Sequence, residues 1–136
     1  SIALADIDHF KQINDDHSHG IGDRVLEEVA QVFAERVLGE DLVARYGGEE
    51  FLFCFVGSDA TQAARLCEDL RVAVESKAWH MLAPELRVTM SVGLAFSDAD
   101  AEASVLLAHA DASLYQAKRL GRNRVVAGAI RRTASA

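Results

Sequence analysis

From Leu86 to Phe96 the chain alternates without a break: Leu86, Val88, Met90, Val92, Leu94 and Phe96 are separated by Arg87, Thr89, Ser91, Gly93 and Ala95. A period of two over eleven residues puts every large side chain on one side of an extended strand, which no helix can do. The small and more polar groups share the other side, so the chain must build a sheet with helices packed on it. Ile2-Ala3-Leu4-Ala5-Asp6-Ile7-Asp8 is almost continuously apolar, as a strand buried on both faces would be, and it ends in carboxylates at alternate positions. Leu42 to Tyr46 and Phe51 to Val56 read as the arms of a β-hairpin joined by a short glycine-containing link.

Helical spacing fills the intervals. Leu26, Val29, Ala30, Phe33 and Val37 predict a helix from Asp23 to Leu38, stopped by Gly39. Asp59 with Gln62 has the spacing of a capping box and opens a second helix running to about Trp79. Val105, Leu106, Ala110, Leu114 and Ala117 predict a third over 104–120, ended by Gly121. Residues 9–17 read as a short helix followed by a loop, and the glycines of 17–23 extend that loop. Arg124-Val125-Val126 can add an edge strand, with 127–136 as a frayed tail. This order predicts one α+β domain over residues 1–136, a mixed central sheet flanked by helices, with no internal repeat.

At 136 residues, 50% of them hydrophobic and one of them proline, the chain is long enough for a single core and too apolar for disorder. Its 14 basic against 21 acidic residues give a net charge of −7, which argues against nucleic acid as a partner. A polyanionic nucleotide would need local basic groups, helix N-termini or a metal ion. Cys54 and Cys67 have neither metal nor redox spacing and read as small buried hydrophobes suited to a reducing cytosol. No signal peptide or span of transmembrane length is seen, so the domain is expected in the cytoplasm, although its parent protein could be membrane-tethered. The sequence starts inside its first strand, from which an upstream extension is expected.

The chemistry concentrates in Arg45-Tyr46-Gly47-Gly48-Glu49-Glu50-Phe51. Gly47 and Gly48 can take positive φ or let another molecule approach the backbone. Glu49 and Glu50 alone would read as a solvated acidic turn. Asp6 shifts that balance, because it shares a face with Ile2 and Leu4, where a carboxylate needs hydrogen bonds, a partner or a metal. The nearest basic residue in sequence is Lys11, which makes an external Mg²⁺ or Mn²⁺ a candidate. His17 and His19, two apart, lack further ligands for zinc, and the nonmetal reading is preferred. Asp23 is either a first-turn acid favoured by the helix dipole or a carboxylate facing a ligand.

Four blocks in order resemble the GGDEF family, most of whose members are diguanylate cyclases. They are Asp6-Ile7-Asp8-His9-Phe10-Lys11-Gln12-Ile13-Asn14-Asp15, His19-Gly20-Ile21-Gly22-Asp23-Arg24-Val25-Leu26, Gly47-Gly48-Glu49-Glu50-Phe51 and the run from Ala110 to Asn123. The third is the family signature in its Glu-for-Asp form. The resemblance covers residues 2 to about 126 and implies a fold like the palm of nucleotide cyclases and polymerases, with a ferredoxin-like core. The implied reaction condenses two GTP into cyclic di-GMP with release of two pyrophosphates, using two Mg²⁺ (or Mn²⁺) ions per site. By resemblance, the ligands are Asp6, the Ile7 carbonyl, Glu49 and Glu50, with Glu49 also the base for the ribose 3′-hydroxyl. Asn14 and Asp23 match the positions that read guanine, and Lys118 and Arg122, with the Phe10 and Lys11 amides, those that hold phosphates. His19, Gly47 and Gly48 complete the substrate set. On residues alone, Lys118 and Arg122 compensate a helix C-terminus.

The resemblance also implies a transient homodimer, each copy carrying one GTP, and an N-terminal sensor or receiver domain in the parent protein. An isolated domain would then have low activity. Three departures stand out. Leu38 replaces the Arg of the Arg-x-x-Asp inhibitory product site while Asp41 remains, Ser18 replaces a usual Gly, and the upstream Leu-Thr-Gly-Leu-x-Asn-Arg block is absent. The alternative function is a nonenzymatic receptor for GTP or cyclic di-GMP, and a dimerising scaffold is the weakest reading.

Overall fold

A computed structural model describes residues 1–97 and 100–130. Its elements in chain order are β1 (Ile2–Ile7), α1 (Phe10–His17), α2 (His19–Arg36), β2 (Leu42–Arg45), β3 (Glu50–Cys54), α3 (Ala60–Glu75), a 3-10 turn (Trp79–Met81), β4 (Met90–Ser97), α4 (Ala103–Arg119) and β5 (Val125–Ile130). The strands form one sheet in the order β2-β3-β1-β4-β5, antiparallel except for the parallel β4–β5 pair. The expected mixed α+β sheet is therefore present. No described helix is long and apolar enough to cross a membrane.

β1 is central because both its faces are apolar. Ala3, Ala5 and Ile7 join the larger core with Val25, Val29 and Phe33 of α2 and with Cys67, Leu70 and Val74 of α3. Leu4 packs on the opposite face against Ala110 and Leu114 of α4. Phe33 meets Phe51 and Phe53 edge-on, with ring centroids 5.0 and 4.9 Å apart. Both cysteines are free, and burial pushes the Cys67 thiol up to about 12, as expected of a small buried hydrophobe.

β4 begins at Met90, four residues later than the alternation suggests. Leu86 and Val88 stay buried in the larger core, but Asp8 N–H donating to Thr89 O at 2.9 Å lies beyond the end of β1, so the ladder has run out of partner. On the other side of β4, Ser91, Gly93 and Ala95 are buried beneath α4. A Cβ on Gly93 would lie 2.2 Å from both Ala110 O and Leu114 N, so only glycine lets the helix backbone rest on the strand.

α3 ends at Glu75 rather than near Trp79, which lies in the separate 3-10 turn, and two further expectations need correction. Residues 19–22 are the first turn of α2, not a loop: Ser18 caps the helix by accepting the Ile21 N–H on its hydroxyl at 3.3 Å. Gly22 is there because a side chain would strike Asn14, whose Oδ1 would be 1.8 Å from the new Cβ. Ser18 itself holds φ 137°, a backbone that favours glycine, and its capping bond offsets the strain. Asp23 therefore lies past the first turn, and the dipole role does not apply. The second correction is at the C-terminus. Residues 127–130, expected to fray, pair with β4 from Leu94 to Ser97, and residues 131–136 of the expected tail lie outside the described residues.

Candidate active site

The antiparallel register of β1 and β3 places Asp6 directly opposite Glu50. Opposed residues share a face, so two carboxylates meet on the α4 side of the sheet, where such pairs repel. Lys118, in the last turn of α4, donates from Nζ to Asp6 Oδ2 at 2.7 Å. The buried Asp6 thus has an internal partner that sequence proximity could not reveal, since 112 positions separate them. Burial, then the charge of Asp6, push the Glu50 carboxyl above its ordinary range; Lys118 opposes this, and Glu49 and Asp111 add to it. Asp111 was not singled out in the sequence, because only the packing of α4 brings it near Glu50.

A group whose proton is held more tightly in the folded state stabilises the fold fully below its unfolded value, and loses that contribution as pH rises through the folded value. Glu50→Gln should therefore be more stable than the parent near neutral pH, with the advantage vanishing below about pH 4. Thermal unfolding of the two proteins across this range tests it; a difference independent of pH would show that the crowding is absent.

Glu49 sits just before β3 and is half-buried, its carbonyl accepting the Ile7 N–H at 3.2 Å. It lines a cavity of about 180 Å³ together with Asp6, Ile7, Lys118 and Arg122. The remaining walls are Asp8, His9, Phe10 and Lys11, at the start of α1. His9 is left-handed there (φ 53°) and no side chain caps α1, which leaves the Phe10 and Lys11 amides for an anion. Of the residues named from the sequence, Asp6, Ile7, Phe10, Lys11, Glu49, Lys118 and Arg122 thus share one cavity, and Glu50, opposite Asp6 in the sheet, is not among its walls.

Gly47 and Gly48 do not take positive φ. A Cβ on Gly48 would meet nothing within 4 Å, and one on Gly47 would lie 3.7 Å from Glu50 Cβ, so the bend is open on this side. Arg45 braces the turn, its guanidinium donating to Gly47 O and Gly48 O at 3.3 and 2.6 Å.

Asn14, His19 and Asp23 lie apart from this cavity. His19 is exposed at the start of α2, and Asp23 lines a larger cavity of about 410 Å³ floored by Leu26, Phe33, Val43 and Phe51. Asn14 Oδ1 is buried and has no hydrogen-bond partner among the described residues, so it has an acceptor to offer. Phe10 joins the two regions: it lines the smaller cavity, and its ring Cζ would be 3.3 Å from a Gly22 Cβ.

Among the described residues no three side chains of the metal-ligating types form a ready cage. The opposed carboxylates of Asp6 and Glu50 nonetheless fit a hard divalent cation such as Mg²⁺, which takes one or two carboxylates and completes its shell from water and phosphate oxygens.

The sequence matches the family described as "Diguanylate cyclase, GGDEF domain" over residues 1–124. Diguanylate cyclase A of Treponema denticola is 41% identical over 126 residues, covering 92% of this chain and 34% of that protein. The chain therefore spans about a third of that curated relative's length. The GGDEF domain of DgcB from Caulobacter crescentus, solved with c-di-GMP, superposes with a TM-score of 0.83 at 37% identity, covering 93% of this chain and 75% of that one. Diguanylate cyclase SiaD from Pseudomonas aeruginosa, solved with its activator SiaC, gives 0.86 at 37% identity over 93% of this chain and 49% of that one. The signature on the β2–β3 turn, the acid pair it creates with β1 and these matches lead to one assignment: the chain belongs to the GGDEF domain family of diguanylate cyclases.

Proposed function

We propose that this domain condenses two GTP molecules into cyclic di-GMP, releasing two pyrophosphates, and that it works as a metal-dependent homodimer. The observation that carries this reading is the Asp6–Glu50 register, which converges two carboxylates beside a cavity walled by Glu49, Lys118, Arg122 and the uncapped start of α1. Asp6, Glu50, Glu49 and the Ile7 carbonyl would hold Mg²⁺ or Mn²⁺. When bound, such ions neutralise the attacking and leaving oxygens of an in-line displacement. Glu49 takes the proton of the ribose 3′-hydroxyl. Lys118 and Arg122 balance the charge on the phosphates, and the Phe10 and Lys11 amides receive the terminal oxygens. Asn14 and Asp23 accept from the guanine edge, with His19 at the rim of that region, and Gly47 and Gly48 leave room for the nucleotide at the turn.

Each domain carries one GTP, so two copies must face each other across the phosphates. A sensor or receiver domain N-terminal to this one would then control activity by raising effective concentration. The test is to incubate artificially dimerised protein with GTP and Mg²⁺ and measure pyrophosphate and cyclic di-GMP. Nucleotide bound without product would replace the cyclase with a receptor.

Feedback by product should be weak. Leu38 is exposed and aliphatic where the family's inhibitory site has Arg, and Asp41 Oδ1 accepts the Val56 N–H at 2.8 Å. No guanidinium stands at that position to bind a phosphate or guanine. Cyclic di-GMP added to the assay should leave the initial rate within about twofold, well short of the tenfold that one charge-assisted contact represents. Strong inhibition would show that another residue has taken the arginine's place.

A further inference from the structure

Asp8 follows β1, is almost closed off from solvent, and has both oxygens engaged. Its Oδ1 accepts the Ser91 hydroxyl at 2.6 Å, while Oδ2 accepts the Thr89 hydroxyl at 2.7 Å and the Asn123 backbone N–H at 3.0 Å. The first two donors belong to the start of β4 and the residue before it. The third belongs to the turn after α4, and that turn is strained: Arg122 and Asn123 are both left-handed, with φ 63° and 45°. Consecutive side-chain-bearing residues do not hold that conformation without outside help.

Help comes from three directions. The Arg122 N–H donates to Ala117 O at 2.9 Å, closing the turn onto α4. Asn123 Oδ1 accepts from Arg71 Nη1 of α3 at 2.7 Å, and its Nδ2 donates to Glu75 of the same helix. Asp8 supplies the third hold, from the sheet. Between them the turn is fixed so that Arg122 stands in the wall of the cavity with Asp6, Glu49 and Lys118.

We propose that Asp8 is the positioning residue for Arg122, acting through the Asn123 amide rather than by touching ligand or metal. This rests on the cyclase reading, in which Arg122 meets a nucleotide phosphate. Asp8 also lines the cavity, and a carboxylate two residues past Asp6 invites assignment as another ligand, but its oxygens already serve three donors: the Thr89 and Ser91 hydroxyls tie it to β4, and the Asn123 N–H ties the turn to it.

The test uses the whole chain, its Asp8→Ala, Asp8→Asn and Arg122→Ala variants and the Asp8→Ala/Arg122→Ala double, followed by amide hydrogen exchange and by GTP titration in Mg²⁺. In Asp8→Ala the Asn123 amide should exchange at least about tenfold faster, while the Ala5 and Leu94 amides stay protected. GTP affinity should fall about tenfold in Arg122→Ala and similarly in Asp8→Ala, with no further loss in the double variant. Asp8→Asn, whose amide oxygen can still accept the Asn123 N–H, should stay within about threefold of the parent.

Losses that multiply in the double variant overturn the proposal, since they would mean independent roles. An Asn123 amide that remains protected in Asp8→Ala does so too. If Asp8→Ala does not fold, Asp8→Ser, whose side chain is one bond shorter and lacks the second oxygen, takes its place in the exchange measurement and in the cycle with Arg122→Ala under the same criteria. A parent chain that binds no GTP sinks the cyclase reading alone, and exchange at Asn123 still decides whether Asp8 holds the turn.

Discussion

Glu49→Gln should leave a folded protein that binds GTP and makes cyclic di-GMP about 10²–10⁴-fold more slowly, the range lost when a general base is removed. The substitution keeps the size of the side chain and an acceptor oxygen but removes the ability to take a proton. Its effect on folding should be small, because the structural contact of residue 49 is made by the backbone, the carbonyl accepting the Ile7 N–H. Among the acidic residues of the signature, Glu49 lines the cavity, whereas Glu50 stands against Asp6 on β1. Pyrophosphate release from artificially dimerised protein measures the loss, and GTP titration shows that the pocket survives. Unchanged turnover would remove Glu49 as the base and transfer attention to Glu50.

Gly93→Ala should be strongly destabilising. The new Cβ would lie 2.2 Å from Ala110 O and Leu114 N and 2.7 Å from Leu114 Cα, all backbone atoms that cannot rotate away as a side-chain tip can. Relief requires α4 to lift from β4, which also displaces Lys118 from Asp6 and the turn that carries Arg122. Overpacking of this kind costs about 3 kcal/mol, and more where backbone must move. Urea unfolding should show a midpoint lowered accordingly, together with weakened GTP binding. Gly48→Ala is the contrast, since a Cβ there meets nothing within 4 Å and stability should not change. An unaltered midpoint in Gly93→Ala would mean that α4 does not rest on the strand as described.

The strands and helices were legible wherever one face is uniformly apolar. The alternation around Val92 and Leu94 and the helical spacing of Leu26, Val29 and Phe33 report burial, and burial is what the structure shows for them. The loop expected at 17–23 misled because Gly20 and Gly22 normally break helices, whereas here Gly22 answers the close approach of Asn14 on α1. Ala127 to Ile130 offered only a short apolar run, and their strand depends on pairing with β4, which no local pattern reports. The site divides in the same way. Asp6, Glu49 and Glu50 were recognisable as a charge problem on apolar arms, while the pairing of Lys118 with Asp6, the nearness of Asp111 to Glu50 and the bond from Asn123 to Asp8 arise only through contacts between distant segments.

The register of β3 has a consequence for how this chemistry can vary. Phe51, Phe53 and Phe55 are buried in the larger core, while Glu50, between Glu49 and Phe51, is turned toward α4 to face Asp6. Shifting the strand by one residue would expel all three phenyl rings and leave either Glu49 or Phe51 opposite Asp6. The hydrophobic interior therefore acts as a ruler for the acidic pair. A single-residue indel within the phenylalanine-bearing segment would therefore cost the fold and the acidic pair together.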